Sequence, residues 1–200
     1  MSPPLLEWSC SGRALPGERV SGDRALVNVD GHAALCAVVD GLGHGEPAAA
    51  AAERAISSIG EAAAVEPTLV ERCHSALERT RGVAMSLASF DSGAGLLTWL
   101  GIGNVEGRLV RAEPARADAV PLLLAPGIVG HVLPALRPTS VRVRRGDLLL
   151  IASDGIGPGF ADVLRPAGSC DAIARRVVDR HARPSDDAIV LVARYLGGDE

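Results

Sequence analysis

Aromatic side chains are scarce in this sequence: phenylalanine, tryptophan and tyrosine together make up 2% of its 200 residues. A surface that stacks on nucleobases needs aromatic platforms, so this scarcity argues against a protein that binds single-stranded nucleic acid. The core has to be built from Ala, Val, Leu and Ile, and we expect the two tryptophans, Trp8 and Trp99, to lie within it.

Concentrated positive charge is also missing. The formal net charge is -4, and the adjacent arginines at residues 144–145 and 175–176 are short pairs typical of a solvated surface. Without a basic patch the chain offers no electrostatic footprint for nucleic acid or for an anionic membrane.

Paired cysteines, a leader sequence and a membrane span are absent as well. The four cysteines, Cys10, Cys36, Cys73 and Cys170, are widely spaced and form no C-x-x-C pair, which argues against a zinc site or a disulfide framework. The N-terminal residues contain no basic stretch followed by an apolar one, and no apolar run is long enough to cross a bilayer. These absences predict a cytoplasmic protein.

The composition that remains is that of a globular chain, with 48% hydrophobic and 22% charged residues. No linker or repeat divides it, so we expect one domain over residues 1–200. Residues 25–30 and 33–39 are predicted strands joined by the hairpin signal Asp30-Gly31. Helices are predicted after Pro47 and from Pro67, where apolar residues recur at helical spacing.

The second half of the chain returns to strands. Ser169 is a candidate N-cap for one more helix before the last strand. The predicted strands are residues 83–90, 96–101, 107–110, 141–144, 148–152 and 188–195. With strands at both ends and helices grouped between them, this order favours two antiparallel sheets with helices packed outside, and not a parallel βαβ sheet.

Acidic residues at strand ends, beside glycines or turns, carry the chemistry. They are Asp23, Asp40, Asp154 and the pair Asp186-Asp187. Mg²⁺ and Mn²⁺ prefer oxygen ligands, and carboxylates crowded at one sheet edge repel one another unless a cation lies between them. An Asp-Gly after a strand is most often only a turn, but three such sites in one small domain indicate a metal site.

The motifs around these carboxylates resemble those of the metal-dependent (PPM-type) protein phosphatases, in the same order along the chain. The opening motifs are Gly-Glu-Arg-Val-Ser-Gly-Asp at residues 17–23 and Val-Val-Asp-Gly-Leu-Gly-His-Gly at 38–45. The closing motifs are Ile-Ala-Ser-Asp-Gly-Ile at residues 151–156 and Ser-Asp-Asp-Ala-Ile-Val at 185–190. The form Asp-Gly-Leu-Gly-His-Gly is similar to the SpoIIE branch, and within it to the compact phosphatases of stressosome signalling.

This resemblance implies an α+β fold, a four-layer α-β-β-α sandwich of two mainly antiparallel sheets flanked by helices. It also implies two ions, Mn²⁺ or Mg²⁺, at one end of the sheets. Asp40 would bridge both ions, the carbonyl of Gly41 would bind the first, and Asp154 and Asp186 would bind the second.

The resemblance assigns lesser roles to other residues. Asp23 would contribute to the metal site through water, and Asp187 and Asn104 would support it. The phosphate-binding arginine of the wider family falls at Glu18 in this chain, and we expect the neighbouring Arg19 to be a surface residue.

A histidine is also expected in the catalytic set, with Asp40 and Asp154. The wider family places one directly after the Asp-Gly pair, where this chain has Leu42, and His44 follows two residues later. Either His44 protonates the leaving oxygen or it only hydrogen-bonds the glycine loop.

The predicted function is hydrolysis of phosphoserine or phosphothreonine by metal-activated water. The expected substrate is a phosphorylated STAS-domain protein of stress signalling, and the expected enzyme is a monomer. One alternative is a catalytically silent pseudophosphatase that acts as a binding module in the same assembly. Another is a small-molecule phosphohydrolase with the same metals.

Overall fold

The computed structural model describes residues 4–113, 119–161 and 167–197. Strands and helices occupy most of these ranges. In chain order they are β1 (Leu6–Arg13), β2 (Asp23–Asp30), β3 (Ala33–Gly41), α1 (Gly45–Ile59), α2 (Pro67–Leu77), β4 (Val83–Asp91), β5 (Leu96–Ile102), β6 (Glu106–Val110), β7 (Ala119–Pro121), β8 (Leu124–Ala125), β9 (Thr139–Arg142), β10 (Leu148–Ala152), α3 (Cys170–His181) and β11 (Ala188–Tyr195).

The strands form two sheets. The first has the order β1-β11-β10-β6-β7, and the second has the order β2-β3-β4-β5-β8, with β9 also paired to β5. Among the described strands, neighbours pair antiparallel except for β5 with β8, which are parallel. The mainly antiparallel arrangement confirms the prediction from the order of strands and helices.

Three layers of apolar side chains hold four layers of structure together. The two sheets face each other across the first core, which contains Trp99 and Phe90. The second core lies between the β2–β8 sheet and helices α1 and α2, and the third lies between the other sheet and α3. This is the α-β-β-α sandwich that the resemblance implied.

Local signals placed several elements correctly. The hairpin signal Asp30-Gly31 joins β2 to β3, and Gly31 has the positive φ of 55° that such a turn requires. Pro67 begins α2, and the side chain of Ser169 accepts a hydrogen bond from the backbone N–H of Ala172 at the start of α3. None of the described helices has both the length and the apolar character needed to cross a membrane.

Two expectations were wrong. Trp8 is 47% exposed, because it lies on β1, the edge strand of its sheet. The strand predicted at residues 141–144 is β9, which ends at Arg142 where its pairing with Leu96 of β5 ends. The sequence pattern does not predict β1, because its half-buried face carries polar residues such as Glu7, whose carboxylate accepts a hydrogen bond from the backbone N–H of Cys170 at the start of α3.

Candidate metal centre

Two aspartates are directly opposite each other where β2 begins and β3 ends. Asp23 pairs with Asp40 in the antiparallel register. Like charges in such a position repel and destabilise the sheet unless a cation compensates them. The sequence places each of these residues beside a strand, but the pairing register brings them together.

The other sheet brings further carboxylates to the same end of the sandwich. Asp154 lies just beyond the end of β10, and the pair Asp186-Asp187 lies just before β11, the neighbouring antiparallel strand. With Asp23 and Asp40 they form a group that we call the aspartate cluster.

Ser153 connects the two sheets inside this cluster. Its Oγ donates a hydrogen bond of 2.8 Å to Oδ2 of Asp23 and accepts one of 3.0 Å from the backbone N–H of Ile189. Ser153 is 2% exposed, so this is a buried bridge between layers. The sequence analysis assigned it no role, although its place directly before Asp154 was visible in the motif.

Asp187 holds the loop that precedes β2. Its two carboxylate oxygens each accept a 2.7 Å hydrogen bond, one from the backbone N–H of Leu15 and one from that of Gly22. The residue is 4% exposed. Its carboxylate thus fixes the approach of the chain to Asp23.

Glycine is required after Asp40 and after Asp154 because the backbone of another segment lies against it. A Cβ on Gly41 would lie 2.1 Å from the carbonyl oxygen of Ala48, and one on Gly155 would lie 1.7 Å from that of Asp187. No side chain fits at either distance. The two Asp-Gly pairs therefore close the cluster against α1 and β11.

A cleft of about 270 Å³ opens onto the cluster, and we call it the aspartate cleft. Asp40, Asp154 and Asp186 line it together with His44 and Asn104. Nδ2 of Asn104 donates a 2.5 Å hydrogen bond to Oδ2 of Asp154, which fixes the orientation of that carboxylate. Asp23 and Asp187 lie behind this surface.

Three of these carboxyl groups, on Asp23, Asp40 and Asp186, resist ionisation. Burial, followed by repulsion from the rest of the aspartate cluster, raises the pKa of Asp40 to about 8. Burial likewise raises the pKa of Asp23 to about 7, although the hydrogen bond from Ser153 opposes the rise. The pKa of Asp186 is also raised, first by burial and then by Asp154.

Among the described residues, no ion pair involves any of the five carboxylates of this cluster. Nor, within those same ranges, can a group of three His, Cys, Asp or Glu side chains hold an ion by itself. Mg²⁺ usually keeps several waters and takes only one or two carboxylates, so it can bind at a site where no three side chains are arranged to hold it. The oxygen-only donor set and the uncompensated charge fit a hard divalent ion.

His44 faces the cleft from the N-terminus of α1. Its Nδ1 lies 2.5 Å from Oε1 of Glu18, and its side chain is 58% exposed. Glu18 also lies against Gly45, so it holds the histidine in place. Arg19 is exposed, in agreement with its expected surface position.

The fold places this chain in a structural class, that of the PP2C-type protein phosphatases, whose solved domains it matches with TM-scores of 0.75 and 0.77. The family described as Stage II sporulation protein E (SpoIIE) matches residues 30–196, and this chain belongs to that family.

Individual relatives agree with this assignment. The phosphoserine phosphatase RsbX of Bacillus subtilis (strain 168) is 24% identical over 181 residues, which are 89% of each chain. A crystal structure of RsbX in complex with magnesium matches with a TM-score of 0.84 and 19% identity, over 98% of both chains.

Two further structures share the fold. A chain from work on the bacterial stressosome, described as a modular system adapted to control secondary messenger signalling, matches with a TM-score of 0.85 and 32% identity, over 94% of this chain and 99% of that one. The catalytic domain of the serine/threonine phosphatase PstP, in complex with two manganese ions, matches with a TM-score of 0.70 and 16% identity, over 96% and 98%.

Proposed function

We propose that this protein hydrolyses phosphoserine and phosphothreonine with two divalent ions, Mn²⁺ or Mg²⁺, bound at the aspartate cluster. The observation that carries this proposal is the convergence of Asp40, Asp154 and Asp186 on one cleft where, among the described residues, none of them forms an ion pair. Crowded carboxylates attract divalent cations, and the cleft leaves room beside such ions for a phosphate group.

Asp40 and the carbonyl of Gly41 would hold one ion, and Asp40, Asp154 and Asp186, together with water ligands, would hold the other. Two bound ions supply a nucleophile from water at neutral pH and neutralise charge on the phosphate. Asn104 keeps the carboxylate of Asp154 in a fixed orientation. Asp23 contributes negative charge from behind Asp40 and is held by Ser153.

His44 would donate a proton to the leaving oxygen of the serine or threonine. Its Nδ1 is engaged by Glu18, which leaves Nε2 for that transfer. Glu18 is then a positioning residue, because it touches the histidine and not the substrate.

The proposed substrate is a phosphorylated STAS-domain protein of a stress-signalling assembly, and the proposed enzyme acts as a monomer. Support comes from the 24% identity to RsbX, named a phosphoserine phosphatase, and from the 32% identity to the stressosome-related chain. A comparison of rates on an intact phosphorylated STAS protein and on a peptide from its phosphorylation site tests this part. We expect the intact protein to react faster, and equal rates would contradict the proposed recognition of a STAS-domain substrate.

Hydrolysis of an aryl phosphate with and without metal tests the reaction itself. We expect turnover with Mn²⁺ or Mg²⁺, none with excess chelator, and none in Asp40→Asn, which keeps the shape of the ligand but loses its charge. Asp30→Asn, an exposed change at the other end of β2, is the matched control and should be fully active. Activity that survives chelation, or persists in Asp40→Asn, would rule out the proposal, and a correctly folded wild type that binds metal but never turns over would favour the pseudophosphatase.

A further inference from the structure

A second cavity, of about 200 Å³, adjoins the aspartate cleft and shares Asn104 and Asp154 with it. We call it the flanking cavity. Its wall is largely apolar and includes Leu124, Ile156 and Phe160. Because Ile156 is 5% and Phe160 is 2% exposed, these two side chains form a floor that belongs to the protein core.

Hydrogen bonds fix the side of this cavity that carries Arg183. Ile156 and Ala182 form an antiparallel bridge. Two backbone hydrogen bonds of 2.7 Å flank this bridge. The N–H of Gly157 donates to the carbonyl of His181, and the N–H of Arg183 donates to the carbonyl of Gly155. Arg183 is thereby held beside the loop that carries Asp154.

The opposite wall is fixed as well. Leu124 lies in β8, which pairs with Gly101–Ile102 of β5. A Cβ on Gly101 would lie 2.4 Å from Cδ2 of Leu124, so the leucine packs directly on the sheet. The cavity is therefore a preformed shape between two anchored segments.

Charge at the rim is unbalanced. The guanidinium of Arg183 is exposed and makes neither a hydrogen bond nor an ion pair with the described residues. The acidic groups that share the lining are already engaged, Glu106 by Arg108 at 3.1 Å and Asp154 by Asn104 at 2.5 Å. An apolar floor beside an uncommitted arginine suits an apolar side chain followed by an anionic one.

We propose that the flanking cavity is a substrate subsite that selects phosphoproteins with an apolar residue next to the phosphorylated residue and an acidic residue just beyond it. This inference rests on the proposed function, because the phosphate must lie in the aspartate cleft. Consecutive residues of a chain span at most about 3.3–3.6 Å each, and the neighbour of the phosphoresidue would enter the cavity past the shared residues Asn104 and Asp154. The apolar residue enters between Leu124 and Ile156, and the acidic one pairs with Arg183.

Steady-state kinetics on short phosphoserine peptides test the proposal. The peptides carry Leu or Ser next to phosphoserine and Glu or Lys at the following position, in one series on the N-terminal side and in another on the C-terminal side. In one series we expect kcat/KM to be roughly tenfold higher for Leu than for Ser, as for apolar groups in a fitted pocket. We expect a further advantage of about two- to fivefold for Glu over Lys, the size of an exposed ion pair.

Two variants assign the preferences to their residues. Arg183→Glu should reverse the preference between Glu and Lys peptides, and Leu124→Ala should reduce the preference for Leu over Ser. Arg176→Glu makes the same charge change on the exposed face of α3 and should retain the wild-type ratios. The ratio of kcat/KM values for two peptides on the same variant does not change if part of that protein is unfolded, because both values fall by the same factor.

Three results would overturn the subsite. They are equal kcat/KM for all peptides of both series, an unchanged Glu-to-Lys ratio in Arg183→Glu, and a loss in Arg183→Glu that is as large on an aryl phosphate as on the Glu peptide. The last result would mean that Arg183 binds the phosphate itself. Failure of the proposed function has a different signature, since the wild type would then hydrolyse no aryl phosphate with Mn²⁺.

Discussion

Backbone segments approach the Asp-Gly pairs so closely that single atoms decide whether the cleft can form. We predict that Gly155→Ala lowers metal-dependent turnover at least tenfold and destabilises the fold by about 1–3 kcal/mol, the usual cost of overpacking. The reason is the 1.7 Å separation between the added Cβ and the carbonyl oxygen of Asp187, which is backbone and cannot rotate away. Aryl phosphate kinetics and chemical denaturation measure the two effects.

Gly93→Ala is the control for this substitution. The nearest atom to a Cβ at Gly93 is a carboxylate oxygen of Asp91 at 3.4 Å, an ordinary contact with a side chain that can move. Wild-type activity in Gly155→Ala would show that the loop after Asp154 can shift without loss of turnover, and it would contradict this prediction.

His44 is the residue whose chemistry depends on the leaving group. We predict that His44→Ala slows phosphoserine hydrolysis on the order of a hundredfold and leaves an activated aryl phosphate nearly unchanged, because only the poor leaving group needs a proton. Paired rate measurements on the two substrates check this. Glu18→Gln should produce a smaller loss of phosphoserine hydrolysis, because Nδ1 of His44 keeps a hydrogen-bond partner but that partner no longer carries a negative charge. Equal losses on both substrates would assign His44 a structural role in the glycine loop.

At the level of elements, α3 is capped at its start by Ser169 and packs its apolar face on the outer side of the β1-β11-β10-β6-β7 sheet. We predict that Ser169→Ala costs about 1 kcal/mol of unfolding free energy, as expected for loss of an N-cap, without changing kcat or KM. The side chain of Ser169 accepts the N–H of Ala172 at 3.2 Å, and the helix covers the outer core. Denaturant titration and aryl phosphate kinetics together test this separation of stability from function.

Ser58→Ala provides the comparison within α1. Ser58 is half-buried, and its hydroxyl donates to the carbonyl of Arg54 inside the same helix, so its loss should be nearly neutral. A loss of activity in Ser169→Ala would instead mean that α3 influences the geometry of β11 and the aspartates before it.

At the scale of the whole molecule, the stability of the metal-free protein depends on pH, because burial and then mutual repulsion disfavour the ionised forms of Asp23 and Asp40. Asp23 and Asp40 have folded pKa values of about 7 and about 8, above their ordinary value of 3.8. The folded state therefore binds more protons than the unfolded state in this range, and stability falls as pH rises. We predict that the Tm of the metal-free protein decreases between pH 5.5 and pH 8.

Saturating Mg²⁺ should remove or reverse this slope, because the cation stabilises the ionised carboxylates. Asp40→Asn should flatten it in the absence of metal, and the exposed Asp30→Asn should not. Thermal unfolding with and without chelator at several pH values is the measurement. A metal-free Tm that is constant or rises over this interval would contradict the crowding of charge in the cluster.

The sequence by itself determined what depends on neighbouring residues. Asp30-Gly31 predicted the β2–β3 hairpin, Pro67 predicted the start of α2, and the apolar run at 148–152 predicted a buried strand. Turn conformation, helix capping and hydrophobic periodicity are local, so one stretch of chain contains their signals. The motif order also indicated the family, to which the match over residues 30–196 assigns the chain.

Tertiary structure decided whatever depends on partners distant in the chain. Three features of the site join segments that are distant in the sequence. They are the register that places Asp23 opposite Asp40, the hydrogen bond from Ser153 to Asp23, and the contact of Gly155 with Asp187. The exposure of Trp8 likewise depends on the edge position of β1, which no local pattern encodes. Pairing and packing energies are summed over the whole sandwich, and for this reason the shape and charge of the cleft could be read only from the folded chain.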